Sequence, residues 1–249
     1  MRQREPAICL RTSDYSETSQ VVAFLTRGTG VVRLIAKGTK RAKSKSGGAL
    51  DLLAEGELIF TPSRSGGLGV LVEFTETVTR REIRRDAARL NASLYLIELA
   101  GAMLAVDDPH PEVFDLLHNA LQRLGEPASP VLAVVAYFLW RLLRHVGLLG
   151  ELDRCVSCRQ PTAGHRGKLW FSSSAGGVLC EQCASGNGER MALDGRTTAA
   201  LAALSAAESG RKVSLPDAQA RRVADMLNYH AAHQLGRPLR TASSVLGRR

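Results

Sequence analysis

Aromatic side chains are scarce in this chain: two Trp, four Tyr and six Phe in 249 residues. That scarcity argues against a long platform on which successive nucleobases stack. Long uncharged apolar runs are lacking too. The most hydrophobic stretch, Val131 to Gly150, is interrupted by Arg141, Arg144 and His145. It therefore reads as a buried helix, since a membrane span needs about 20 largely uncharged residues. The N-terminus, MRQREPAICLRTSDYSE, has no apolar signal core, so the sequence places the chain in the cytoplasm and off the membrane. The catalytic signatures looked for are absent: no G-x-x-x-x-G-K-[ST] phosphate cradle, no G-x-S-x-G elbow, no H-E-x-x-H. Asp107-Asp108 precedes Pro109 and reads as a helix-ending loop, and His230 and His233 read as chance neighbours on a surface helix. The chain is expected not to be an enzyme.

Acidic residues are missing from one long span. None occurs between Glu17 and Asp51, while Arg27, Arg33, Lys37, Lys40, Arg41, Lys43 and Lys45 fall inside it. Most of these cations cluster in KGTKRAKSKSGG, a Gly/Ser-bearing loop between two expected strands. Lys and Arg in such a loop track phosphates without fixing a base register. A second cluster, Arg80, Arg81, Arg84 and Arg85, sits where strand-like sequence gives way to helix. The whole chain carries a formal charge of +9, which favours a polyanionic partner. The phosphate-contacting candidates, for nucleic acid or another polyanion, are thus Arg33, Lys37, Lys40, Arg41, Lys43, Lys45, Arg80, Arg81, Arg84 and Arg85.

Cysteines are few, and four of the five are arranged. Cys155-Val-Ser-Cys158 and Cys180-Glu-Gln-Cys183 are two C-x2-C knuckles separated by 21 residues. A two-residue gap lets both sulfurs of a knuckle face one point, and two knuckles complete a tetrahedral thiolate shell with Zn–S near ~2.3 Å. The intervening LWFS and GGVL segments flank a Gly-rich turn, the pattern of a zinc ribbon. In a reducing compartment such pairs suggest metal before disulfides. Four protein ligands close the site, so one structural Zn2+ per chain is expected. Cys9 lies in the first expected strand and reads as a small buried hydrophobe.

The remaining pattern gives the fold class, α+β. AICLRT, SQVVAFLT, GVVRLIAKG, LLAEGELIFT and GVLVEFTETV are five short β-rich segments, a number suited to a five-stranded OB-fold barrel. Helical spacing follows. DAARLNASLYLIELAGAML has apolar positions Leu90, Leu94, Ile97 and Met103, HPEVFDLLHNALQRLGE has Pro111 in its first turn, and SPVLAVVAYFLWRLLRHVG is apolar on nearly every face. TTAALAALSAAE and SLPDAQARRVADMLNYHAAHQLG read as two more helices. The expected domains are an OB-fold DNA-binding domain at 1–80 and a helical domain at 81–249, with the zinc ribbon inserted at 153–184.

The stretch LRTSDYSETSQVVAFLTRGTGVVRLIAKGTKRAKSKSGGAL resembles the N-terminal signature of the RecO recombination-repair mediators. The resemblance is carried by Asp14, Tyr15, Glu17, Gly30, Lys37, Gly38, Arg41, Lys43, Ser44, Gly47 or Gly48, and Leu50. The knuckles also follow a long apolar helix, as in that family. The closing YHAAHQLGRPLRTASSVL is similar as well, although Thr241 and Ala242 stand near the family's usual Lys-Ser. The resemblance implies an N-terminal OB-fold, a helical domain and a zinc ribbon. It implies binding to single- and double-stranded DNA, annealing of complementary strands, and, with RecR and the C-terminal tail of single-strand-binding protein, loading of RecA at the nucleoid. Arg141 and Arg144 are the candidates to meet that acidic tail. Two other readings remain at this level: a zinc-ribbon enzyme that modifies nucleic acid, and a protein-only adaptor.

Overall fold

The computed structural model describes residues 2–39, 48–63, 66–150, 152–162, 164–165, 167–186, 188–207 and 215–247. The chain divides into two compact units, 1–129 and 130–249. The expected change from strand to helix near residue 80 is present, but the first three helices group with the strands.

Unit 1 opens with β1 (Gln3–Asp14), β2 (Gln20–Thr26), β3 (Gly30–Ala36), β4 (Glu55–Thr61) and β5 (Gly69–Val78). They close a barrel in the order β1-β2-β3-β5-β4. All pairings are antiparallel except β3–β5, where Leu34 faces Gly69 and Ile35 faces Val70. This is the expected five-stranded OB-fold. Strand periodicity explains it: Val22, Phe24, Val32, Leu34, Leu58 and Phe60 point into one core. Phe24 and Phe74 meet there with ring centroids 5.1 Å apart. Cys9 lies wholly inside as expected, and burial pushes its thiol up to about 12. β1 is long enough to pair with both β2 and β4, and its register shifts between Cys9 and Arg11. Such a bulge bends a strand so that it can serve both neighbours.

Three helices complete unit 1: α1 (Arg81–Arg85), α2 (Ala87–Met103) and α3 (Pro111–Gly125). Asp86 caps α2 by accepting from the N–H groups of Ala88 and Arg89. The apolar spacing pointed to Leu90, Leu94, Ile97 and Met103 as the inward face. Ile97 is buried, but the deeper face is Ala92, Tyr95, Leu96, Leu99 and Ala100. Arg89 is buried and its guanidinium donates to the carbonyls of Leu124, Glu126, Pro127 and Ser129. It thereby satisfies carbonyls that the end of α3 leaves open. Beyond α2, the Asp107 N–H donates to the Val31 carbonyl at 2.9 Å. This is possible because Gly30, at φ +83°, has no Cβ; one would sit 1.9 Å from the Asp108 carbonyl oxygen.

Unit 2 contains α4 (Val131–His145), β6 (Leu169–Ser172), β7 (Gly177–Cys180), α5 (Glu181–Ala184), β8 (Met191–Leu193), α6 (Gly195–Ala207), α7 (Asp217–Leu235) and α8 (Ala242–Leu246). As expected from its composition, α4 is deeply buried, with Phe138, Leu139, Trp140, Leu142 and Leu143 inaccessible to solvent. It packs on α7. The strands form a sheet in the order β7-β6-β8. The third strand lies beyond the expected ribbon boundary at 184: three residues are too short to show a period, and its pairing with β6 is a long-range choice. No helix among the described residues is long and apolar enough to cross a membrane.

Candidate functional site

The four knuckle cysteines converge. One Sγ from each of Cys155, Cys158, Cys180 and Cys183 lies within 4.8 Å of all the others. Local chain geometry builds each half. The first knuckle is a tight turn in which the Arg159 N–H donates to the Cys155 carbonyl and the Cys155 N–H to the Gln160 carbonyl. Arg159 itself is left-handed, at φ 64°. The second knuckle runs from the end of β7 into α5. The halves are tied by the Val156 N–H donating to the Val178 carbonyl at 2.8 Å. Gly177 makes that approach possible, since a Cβ there would stand 2.5 Å from Val156 Cγ1.

The electrostatics of this cluster call for a cation. Burial works against the Cys155 thiolate, but backbone N–H groups of Cys158, Cys180 and Ser157 aimed at its sulfur outweigh that cost and bring it down to about 6. Cys183 goes the other way. The Ser157 hydroxyl lowers it, but crowding by the Cys180 and Cys158 sulfurs raises it to about 12. Four thiols this close cannot all ionise unless a positive ion sits between them. A closed all-sulfur shell with N–H groups directed at it, such as the Cys180 N–H on the Cys155 sulfur at 3.4 Å, fits a structural metal ion rather than a catalytic one.

The ribbon rests on α7 through a histidine that the sequence placed on a surface. His230 is fully buried. Its Nε2–H donates to the Leu148 carbonyl at 2.7 Å, and its ring meets Phe171 of β6 edge-on at 5.4 Å. His233 is exposed on the next turn, so the two do not form a metal pair. Nδ1 of His230 is buried with no partner among the described residues. Burial accordingly holds the imidazole below its ordinary 6.5. The unfolded chain then takes up a proton at about 6.5 that the folded unit refuses, so His230 costs stability as pH falls below that value. Thermal melts from pH 7.5 to 5.5 should show the two proteins running parallel down to about pH 6.5, and wild-type protein then losing up to about 1.4 kcal/mol per pH unit more than His230→Gln. Parallel pH profiles of the two proteins over the whole range would refute the assignment. Comparing them removes the separate effect of protons competing for the cysteine thiolates.

The basic candidates are dispersed by the fold. Arg33 on β3 and Lys37 just beyond it are exposed. Lys40, Arg41, Lys43 and Lys45 lie outside the described residues. The ends of that segment are nevertheless fixed. Buried Gln20 accepts from the Leu50 N–H at 2.9 Å, donates to the Leu50 carbonyl at 3.3 Å, and accepts from the Thr39 hydroxyl at 3.2 Å. Its one signal in the sequence was phase, since Gln20 shares the inward parity of Val22 and Phe24. Arg27, from the same acid-free span, is taken up by Asp115 of α3 through two hydrogen bonds of 3.0 and 2.9 Å. That bond holds the Asp115 carboxyl below the ordinary carboxylate range.

The second basic cluster separates into two kinds of residue. Arg81, Arg84 and Arg85 are exposed on α1; Arg84 pairs with Asp51 at 3.0 Å and Arg85 with Glu82 at 2.8 Å. Exposed pairs of this kind hold their partners weakly and can exchange them for a phosphate. Arg80 is different: it is only 8% exposed and its guanidinium binds Glu55. The other Glu55 oxygen meets Nδ1 of His118 on α3. The sequence shows four arginines in six residues and cannot show which one turns inward. In unit 2, Arg141 and Arg144 are half-buried on α4, and Arg141 stands 5.7 Å over the Trp140 ring and 3.3 Å from His145 Nε2.

With this geometry in place, residues 1–78 match the family described as "Recombination protein O N terminal" and residues 84–242 the one described as "Recombination protein O C terminal". This chain belongs to the RecO family. A DNA repair protein RecO of Myxococcus xanthus is 30% identical over 241 residues, covering 96% of this chain and 95% of that protein. One from Anaeromyxobacter dehalogenans strain 2CP-C is 33% identical over 244 residues, covering 96% and 93%. One from Rhodopirellula baltica is 36% identical over 183 residues, which is 71% of this chain and 65% of that protein. The barrel and the cysteine cluster of this RecO family member thus occur in a chain that matches from end to end.

Proposed function

We propose that this RecO family member is a non-enzymatic DNA repair and recombination mediator that binds single- and double-stranded DNA and anneals complementary strands. With RecR and the C-terminal tail of single-strand-binding protein, it helps load RecA at the nucleoid. The observation that carries the DNA-binding step is an OB-fold barrel whose acid-free span presents exposed Arg33 and Lys37 and is pinned at both ends of its lysine-rich segment by Gln20. OB-folds bind oligonucleotides on the β2–β3 face and the adjoining loops. Two complementary strands repel each other, and a basic surface screens that repulsion. Base pairing then supplies the free energy, so no nucleotide is consumed. The cysteine cluster holds one structural Zn2+, the ion suited to a tetrahedral four-thiolate shell. Arg141 and Arg144 are proposed to rim the seat of the acidic partner tail; unchanged affinity for a tail peptide after Arg141→Glu and Arg144→Glu would remove them.

The DNA-binding step is tested by replacing Lys40, Arg41, Lys43 and Lys45 with Ala. Three to five phosphate contacts on single-stranded DNA give a log–log salt slope of roughly −2 to −3.5, at about −0.7 per contact. The quadruple variant should bind more weakly and lose about 0.7 of slope for each contact removed, equally for unrelated sequences, because phosphate contacts carry no base code. Its melting temperature and metal content should stay at wild-type values. Titrations at several salt concentrations check this, and wild-type affinity with wild-type slope would rule the segment out.

A further inference from the structure

The β1–β2 turn exposes an aromatic ring that the fold does not use. Tyr15 is 64% accessible, the largest value among the exposed large apolar side chains. The others so exposed in unit 1, Leu68, Val70 and Val106, are aliphatic. The turn that presents Tyr15 is held by its own backbone: the Tyr15 and Ser16 N–H groups donate to the Ser19 carbonyl at 3.0 and 3.2 Å, and the Ser19 N–H donates back to Ser16 at 3.4 Å. Beside it the chain leaves β3, and Tyr15, Thr18, Ser19, Ile35, Lys37 and Gly38 line an open concavity of about 340 Å³. That set combines an aromatic face, an aliphatic wall, two hydroxyls and a cation. The next residue after Ser19 is Gln20, whose side chain grips Thr39 and Leu50, so the lysine-rich segment is rooted at the same place.

We propose that this concavity is a subsite for one unpaired base of single-stranded nucleic acid. Tyr15 stacks on the base, Thr18 and Ser19 offer hydroxyls to its edge, and Lys37 takes the adjoining phosphate. The proposal rests on the DNA-binding reading above and names where a base, rather than the backbone, is held. Inside a duplex both faces of every base are covered by stacking, so apart from its two ends a duplex has none to offer Tyr15. Asp14 and Glu17 are exposed in the same turn and lie outside the lining; their charges oppose a second phosphate backbone. The scarcity of aromatics limits the protein to a short stack, which does not prevent a single one.

The test uses the full chain with Tyr15→Ala and Tyr15→Phe, and three fluorescent probes at one salt concentration: an oligothymidylate, the same length made of abasic nucleotides, and a blunt duplex. One base–aromatic stack is lost in Tyr15→Ala, so its affinity for the oligothymidylate should fall about 5- to 150-fold. Its affinities for the abasic strand and the duplex should stay within about twofold of wild type, because no phosphate contact changes. Its salt slope should also be preserved, since no cation is removed. Tyr15→Phe keeps the ring and should bind like wild type. Equal losses on all three probes, or no loss on the oligothymidylate, would overturn the subsite while leaving DNA binding intact. A wild-type protein that binds none of the probes would overturn the DNA-binding reading, and the subsite with it.

Discussion

Cys155→Ser should abolish stoichiometric metal binding and lower the melting temperature of unit 2 by at least about 10 °C. Cys155 is the knuckle cysteine most fully withdrawn from solvent, and its sulfur receives the Cys180 N–H. A serine hydroxyl in its place is a poor ligand for a soft, thiolate-lined site. In small zinc modules roughly 10 kcal/mol or more of metal-binding free energy is folding free energy. Here the loss spreads beyond the ribbon, because β6 packs Phe171 on His230, and Gln234 of α7 donates to the Ser173 carbonyl at 3.0 Å. Even about 5 kcal/mol transmitted to the helices would shift the midpoint by roughly 10–20 °C at this chain length. Elemental analysis and calorimetry decide the matter. A variant that retains one equivalent of metal, or a wild-type protein with none and with four freely titratable thiols, would contradict the assignment.

Glu55→Ala should destabilise unit 1 by about 3–5 kcal/mol, the cost of leaving one partner of a buried ion pair uncompensated. Both side chains are almost completely enclosed, 5% exposed for Arg80 and 7% for Glu55. Removing the carboxylate therefore strands a guanidinium in the protein interior and frees the His118 ring as well. At roughly 2–4 °C per kcal/mol, the melting temperature should fall by about 6–20 °C. The double variant Glu55→Met with Arg80→Met should recover most of that loss, because apolar replacement of a whole buried pair is often neutral. Phosphate affinity should not change in the double variant, since the Arg80 side chain is only 5% exposed and its guanidinium is held by Glu55. A single variant as stable as wild type, or a double variant with the salt slope of DNA binding reduced, would show that Arg80 is a surface cation after all.

Several elements were legible from the chain alone because their causes are local. Five β-rich segments separated by turn residues mark the barrel strands, and the alternation within them sets which side chains face inward. The doubled C-x2-C spacing marks the metal cluster, since two residues between cysteines suffice to aim both sulfurs at one point. Helices α2, α3, α4, α6 and α7 were readable from apolar spacing and, for α3, from Pro111 in the first turn.

What the chain could not reveal depends on which distant residues meet. Four arginines between 80 and 85 look alike in sequence, yet only Arg80 finds a buried carboxylate, Glu55, 25 positions earlier. Gln20 reads as a polar residue at a strand's edge until Thr39 and Leu50 close on it. His230 reads as half of an exposed pair until the ribbon's Phe171 covers it. Tyr15 is one of four tyrosines, and only the turn between β1 and β2 leaves it in solvent beside Lys37. Charge count, cysteine spacing and periodicity are properties of neighbours along the chain, so the sequence by itself determined the fold class and the four-cysteine cluster. Burial and pairing of polar groups are settled by desolvation, which acts only once chain segments far apart in sequence have closed around them, so the tertiary structure alone decided which cations stay exposed and which are buried in ion pairs.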